Sequence, residues 1–297
     1  MAKKLVLHIG MHKTGSTSIQ RFLSRNRPAL RLGGVLYPST KGVDGRRESK
    51  HNSIFTAISH EADYGAPHPE LGPSADLIAA VADQIEQSRA HTAILSAEGF
   101  SGEKPDFAAA FKPLAERFEV RVVVFLRRPD IWLESFYRQM VMSREVREHR
   151  PISEFAEAPS TRSHLDYFTI LDGWASAFGK DAIRMEPFED PFEGSLIERF
   201  LLAAGLSPHF GKLPYARSRL NPSLATKVVA QRLNENAGGS RLSPESAIYL
   251  TEDGRKSLAI RLKVEWARRA EDRESLLTPP PFIFSMLDEI EAIPHDS

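Results

Sequence analysis

Leu5-Val6-Leu7-His8-Ile9-Gly10-Met11-His12-Lys13-Thr14-Gly15-Ser16-Thr17-Ser18-Ile19-Gln20-Arg21-Phe22-Leu23 passes from an apolar run through a loop with two glycines into a helical pattern. Leu5 to Ile9 is a short apolar run closed by Gly10, which predicts a buried strand. Beyond Thr17, the apolar residues Ile19, Phe22 and Leu23 recur at helical spacing, which predicts a helix with Pro28 near its stop. A loop that leaves a strand and opens a helix gathers backbone N–H groups at the positive end of the helix dipole. The start of this chain therefore reads as a place for an anion.

Outward from that stretch, strands and helices alternate. Gly33 to about Pro73 is rich in Gly, Pro, His and charge and reads as a surface excursion over a cleft, with a short helix around Ile54 to Ile58. Asp76 to Gln87 carries Leu77, Val81 and Ile85 on one helical face, and Thr92 to Leu95 reads as a second buried strand. Phe107 to Phe118 reads as a helix, and Val120 to Leu126, with three consecutive valines, is the clearest buried strand. It runs into Arg127-Arg128-Pro129. Pro129 suits a first helical turn, and Ile131, Trp132, Ser135, Phe136, Gln139 and Met140 carry the helical pattern to about Arg147, with Trp132 and Phe136 as core. Leu165 to Phe178 predicts another helix, Ala182 to Met185 a fourth strand, and Leu196 to Ala204 a helix ended by Gly205. Ser207 to Ser223 is a loop holding Arg217, Arg219 and Asn221, and the remainder is mainly helical and highly charged up to Pro279-Pro280-Pro281. The alternation predicts one doubly wound α/β domain over 1–297, with a parallel-sheet core over about 1–205 and a mainly helical extension over about 206–297.

Composition narrows the function classes. The 297 residues are 41% apolar, enough for a substantial core, and Lys plus Arg balances Asp plus Glu at 39 each, so no global field draws the chain to nucleic acid or an anionic membrane. Any anion site must be local. There is no cysteine, which removes disulfides, thiolate metal sites and a cysteine nucleophile. The apolar run near the N-terminus breaks at Gly10 and His12 without a small-residue cleavage site, and no apolar stretch approaches the roughly 20 residues of a membrane span, so a cytoplasmic protein is expected.

The loop nearly satisfies the nucleotide-binding pattern G-x-x-x-x-G-K-[ST] through Gly10, Gly15 and Thr17, but Ser16 stands where the lysine belongs and the lysine is at position 13. A nucleoside triphosphatase also wants a strand-end Asp for Mg²⁺, whereas the strongest later strand ends in two arginines. What remains is a cradle for an anionic group in which protein cations, with no metal site expected, neutralise a leaving charge.

Lys13-Thr14-Gly15-Ser16-Thr17 resembles the 5′-phosphosulfate loop of the sulfotransferases that use 3′-phosphoadenosine 5′-phosphosulfate (PAPS). Arg127, Pro129 and Ser135 resemble the same family's 3′-phosphate pattern, an Arg at a strand end and a Ser eight positions later in the next helix. Each motif falls at its strand-to-helix junction, in order. The resemblance implies a P-loop-like three-layer fold and release of adenosine 3′,5′-bisphosphate. It implies Lys13 beside the oxygen bridging phosphate and sulfate, Thr14, Gly15, Ser16 and Thr17 on the 5′-phosphate, and Arg127 and Ser135 on the 3′-phosphate. His12 is expected to shape the loop or reach donor or acceptor. Taken singly, Lys13-Thr14-Gly15 also fits a plain turn, and Arg127-Arg128 a strand cap paired with acids.

An acceptor hydroxyl or amine must lose a proton as it attacks. Many cytosolic members of the family carry a His just past the strand that precedes the Arg strand, and this chain offers Glu98 there, in Ile94-Leu95-Ser96-Ala97-Glu98-Gly99-Phe100. Glu98 is the first candidate base, against the alternative of a carboxylate capping a loop, and His51 is the second. The chain departs from the family at Ser18, where an aromatic often stacks on adenine, and Gly254-Arg255-Lys256 is only an echo of its Arg-Lys-Gly element. Some carbohydrate members of the family use a glutamate as base, so the resemblance implies a carbohydrate or another small hydroxylated molecule as acceptor. Two rivals stand beside this reading. A kinase with an altered P-loop requires ATP, Mg²⁺ and a strand-end Asp, and a non-catalytic nucleotide-binding module requires no base.

Overall fold

The structure is a computed structural model that describes residues 2–102, 107–189, 194–215, 226–238, 248–271 and 281–292. In chain order its elements are β1 (Lys4–His8), α1 (Ser16–Arg25), α2 (Arg27–Leu32), β2 (Val35–Leu36), α3 (Asn52–Tyr64), α4 (Ser74–Gln87), β3 (Thr92–Ser96), β4 (Glu119–Leu126), α5 (Pro129–Met142), α6 (Ile152–Glu157), α7 (Pro159–Leu165), α8 (Tyr167–Phe178), β5 (Ile183–Pro187), α9 (Leu196–Ala203), α10 (Thr226–Asn236), α11 (Glu252–Glu271) and α12 (Pro281–Glu291). The chain forms two compact units, Met1–Leu126 with Thr169–Leu220, and Arg127–Phe168 with Asn221–Ser297.

The first unit holds a five-stranded sheet in the order β2-β3-β1-β4-β5, parallel throughout. Parallel strands need crossovers and are covered on both faces, so their residues read as unbroken apolar runs. Leu5, Leu7, Ile94, Leu95 and Val122 to Phe125 are fully buried. Val6, Ile94, Val123 and Phe125 pack with Ile19, Phe22 and Leu23 of α1 and Ile197, Phe200 and Leu201 of α9. Val6 alternates with Leu5 and Leu7, which face the opposite side of the sheet. A chain of aromatic rings, Phe100 to Phe111 at 5.0 Å and Phe111 to Trp174 at 5.4 Å, forms a second apolar body.

The second unit is helical. Trp132 and Phe136 stack at 4.8 Å and are buried, as their spacing predicts. Pro129 occupies the first turn of α5. Asp130, completely buried, receives Arg128 through two bonds of 2.8 and 3.1 Å and Arg255 at 2.5 Å, and Arg255 also binds Glu134. A buried carboxylate persists only when paired in this way.

Several boundaries differ from the sequence reading. α1 stops at Arg25, near Pro28 as expected, and Pro28 itself sits in the first turn of a further helix, α2, where a proline lacks only an N–H that a first turn leaves unused. The excursion 33–73 holds the two-residue β2 and the thirteen-residue α3, longer than the short helix expected. Phe107–Glu116 is a 3₁₀ helix with Pro113 inside it, α5 stops at Met142 rather than about Arg147, and the helix expected over 165–178 is interrupted at Asp166. Arg217, Arg219, Asn221, Pro279 and Pro280 lie outside the described residues.

Candidate active site

The loop between β1 and α1 is held in a conformation that ordinary residues avoid. Gly10, Lys13 and Gly15 have φ of 21°, 64° and 75°. At Gly10 a Cβ would meet Ser16 Oγ at 2.6 Å, and at Gly15 it would meet Leu196 Cδ2 at 2.3 Å, so a side chain at either position must displace a neighbour as well as adopt an unfavourable φ. Lys13 takes the left-handed geometry without being glycine, a strain of about 1 to 3 kcal/mol that persists only where the surroundings impose it. The hydroxyls of Thr14 and Ser16 donate to the Met11 carbonyl at 2.7 and 3.2 Å, fixing the turn from within. Gly15 is the N-cap of α1, so no side chain caps this helix, and its first turn carries no acidic residue. That leaves the positive end of the dipole to whatever anion approaches it. Thr17, in that turn, is exposed.

The sheet brings a second loop to this one. In the β1–β3 pairing His8 stands opposite Ser96, so the segment after β3 emerges beside the segment after β1. A Cβ on Gly10 would lie 3.4 Å from the Cα of Glu98. Ser101 locks the two together, its hydroxyl lying 3.1 Å from the Gly10 carbonyl and 3.0 Å from that of Glu98. Glu98 opens a 3₁₀ turn over Glu98–Ser101, and its Oε1 lies 3.5 Å from His12 Nδ1, the two side chains being 29% and 30% exposed. Burial pushes the Glu98 carboxyl up, but His12, 3.5 Å away, and the nearby Lys50 and Lys13 outweigh it and hold the group below the usual carboxylate range. Glu98 is therefore ionised at neutral pH. Of the residues singled out from sequence, Lys13, His12, Thr14, Gly15, Ser16, Thr17 and Glu98 thus belong to one unit and two adjoining loops.

His51 is elsewhere. Its ring is completely buried against Tyr37, with centroids 4.8 Å apart. The Ser96 N–H donates to Nδ1 at 3.0 Å, which leaves the proton on Nε2, directed at the Pro38 carbonyl 3.3 Å away. Burial lowers its pKa to about 4. The ring ties the end of β3 to the segment after β2. His8 is equally buried, with Nδ1 2.7 Å from Ser96 Oγ and its ring edge-on to Phe200 at 5.3 Å, and burial takes its pKa to about 4 although the Glu98 charge opposes this.

Arg127 and Ser135 belong to the second unit. Arg127 directly follows β4, its carbonyl receives the Tyr167 hydroxyl at 2.9 Å, and Ser135 lies two turns into α5. The neighbouring Arg128 is committed to Asp130. Arg255, of Gly254-Arg255-Lys256, serves the same carboxylate. Sequence reasoning missed Ser101, whose only signal is a small hydroxyl three places after Glu98. Among the described residues no group of three His, Asp or Glu could hold a metal ion, and no helix is long and apolar enough to cross a membrane.

No family model matches the chain. Over 159 residues it is 30% identical to an uncharacterized protein of Archaeoglobus fulgidus, an alignment that takes in 51% of this chain. The chain spans 40% of the length of that curated relative. Among solved structures, a sulfotransferase from Alicyclobacillus acidocaldarius shows a distant likeness, with TM-score 0.46 and 17% identity over 82% of this chain and 100% of that one.

Proposed function

We propose that this chain is a sulfotransferase that moves a sulfuryl group from PAPS to a hydroxyl or amine of a carbohydrate or other small-molecule acceptor. One observation carries the reading. An uncapped helix N-terminus, a lysine held in a strained backbone conformation beside it, and an ionised carboxylate meet within one unit. The residues fit the phosphosulfate end of such a donor. The glycines at 10 and 15 hold the loop in its turn, where a Cβ would strike Ser16 and Leu196, and the hydroxyls of Thr14 and Ser16 are already turned inward on Met11, so the loop offers backbone N–H groups from Thr14 to Thr17.

Lys13 neutralises the charge that develops on the departing phosphate oxygen, an interaction stronger in the transition state than before it. Glu98 lies on the acceptor side, where a proton must leave, whereas the engagement of both His51 nitrogens argues against a role for that residue. In the second unit Arg127 and Ser135 are the expected 3′-phosphate ligands.

The test is calorimetric titration with adenosine 3′,5′-bisphosphate and, separately, with ATP and Mg²⁺. Micromolar binding of the bisphosphate alone supports the reading, and preference for ATP with Mg²⁺ overturns it in favour of a kinase. A labelled donor offered to an acceptor library then separates an enzyme from a binding module, in which Lys13→Ala and Glu98→Gln have no activity to remove.

A further inference from the structure

Glu98 does not stand alone beside the loop. Its Oε1 lies 3.5 Å from His12 Nδ1, and His12 immediately precedes the loop lysine. The separation is long for a hydrogen bond, yet such pairs tighten when substrate binds. A carboxylate aimed at one imidazole nitrogen keeps the proton on that nitrogen and places the basic lone pair on the other. We propose that His12 is the group that takes the acceptor's proton, and that Glu98 is the positioning residue that sets its tautomer and stabilises the imidazolium formed. The inference rests on the sulfuryl-transfer reading and deepens it.

Three observations support it over proton transfer to Glu98 itself. Glu98 is surrounded by His12, Lys13 and Lys50, which hold its carboxyl below the usual range and make it a weak proton acceptor at neutral pH. Ser101 binds the carbonyls of both Gly10 and Glu98, so the two loops, and with them the two side chains, are held in register. The remaining titratable ring nearby, His8, is sealed beneath and engaged with Ser96. In the transfer the acceptor O–H or N–H breaks, its proton goes to His12 Nε2, the freed pair forms the bond to sulfur, and the bridging S–O pair leaves on the phosphate oxygen beside Lys13.

The experiment compares the wild type with His12→Gln and Glu98→Gln. In the wild type, ¹⁵N spectra of the His12 ring are expected to show the Nδ1–H tautomer, which Glu98→Gln redistributes. The acid limb of kcat/KM is expected to vanish in His12→Gln and to persist in Glu98→Gln. His12→Gln should cut kcat about 10²- to 10⁴-fold while keeping affinity for adenosine 3′,5′-bisphosphate. Glu98→Gln should lower kcat about tenfold or more with KM unchanged and the acid limb still present. An acid limb that survives His12→Gln but is lost in Glu98→Gln, an Nε2–H tautomer, or a His12→Gln variant within tenfold of wild type overturns the proposal while leaving the transfer reading intact. Failure of the wild type to bind the bisphosphate removes both.

Discussion

Gly15→Ala tests the loop where its geometry is most demanding. An alanine at φ 75° takes on the left-handed penalty of about 1 to 2 kcal/mol. Its Cβ would lie 2.3 Å from Leu196 Cδ2 and 3.2 Å from Phe188 Cε2, so Leu196 must retreat by more than an ångström from a contact distance near 3.5 Å. Leu196 is only partly buried and packs on the core cluster, so it can yield at the lower end of the overpacking cost, about 1 to 2 kcal/mol. The stiffer unfolded chain of the alanine variant returns about 0.4 to 1 kcal/mol. The net destabilisation expected is about 2 to 3 kcal/mol, read as a lower urea midpoint at unchanged slope. A double-mutant cycle with Leu196→Ala should show about 1 to 2 kcal/mol of coupling, the part due to the clash, while the backbone part persists. A Gly15→Ala protein within about 0.5 kcal/mol of wild type, or a cycle with no coupling, would refute the argument that two glycines hold the cradle in its turn.

Three further outcomes are expected. His8 and His51 are buried neutral with pKa lowered to about 4, so below the unfolded value of 6.5 the unfolded chain binds more protons. Stability is therefore full above pH 6.5 and falls toward pH 4, by roughly 3 kcal/mol for each ring, and urea midpoints that stay flat across that window would contradict it. Lys13→Ala should lower kcat about 10²- to 10³-fold, the scale of removing one transition-state donor, with stability little changed, and turnover within tenfold of wild type would remove the lysine from its proposed role. Arg127→Ala should weaken binding of adenosine 3′,5′-bisphosphate at least tenfold and that of adenosine 5′-phosphate little, and equal losses for both would argue against a 3′-phosphate contact.

What was legible in the sequence was local. The apolar run 5–9, the glycines at 10 and 15 and the spacing of Ile19, Phe22 and Leu23 specify strand, loop and helix because each depends on neighbours within a turn or two. The same holds for the buried Trp132 and Phe136 and for the valine strand. β2 was invisible because two residues show no period, and α3 was underestimated because a helix with one buried face carries the polar residues that suggest a loop. The tertiary structure alone decided the strand order, and through it which loops meet. His51 looked like a candidate base because a polar segment reads as exposed, yet its ring is enclosed between β3 and the segment after β2. The pairing of His12 with Glu98 and the Ser101 lock depend on the parallel register of β1 against β3, which joins residues far apart in the chain. No local pattern encodes such a contact, since the register is set by the packing of the whole sheet.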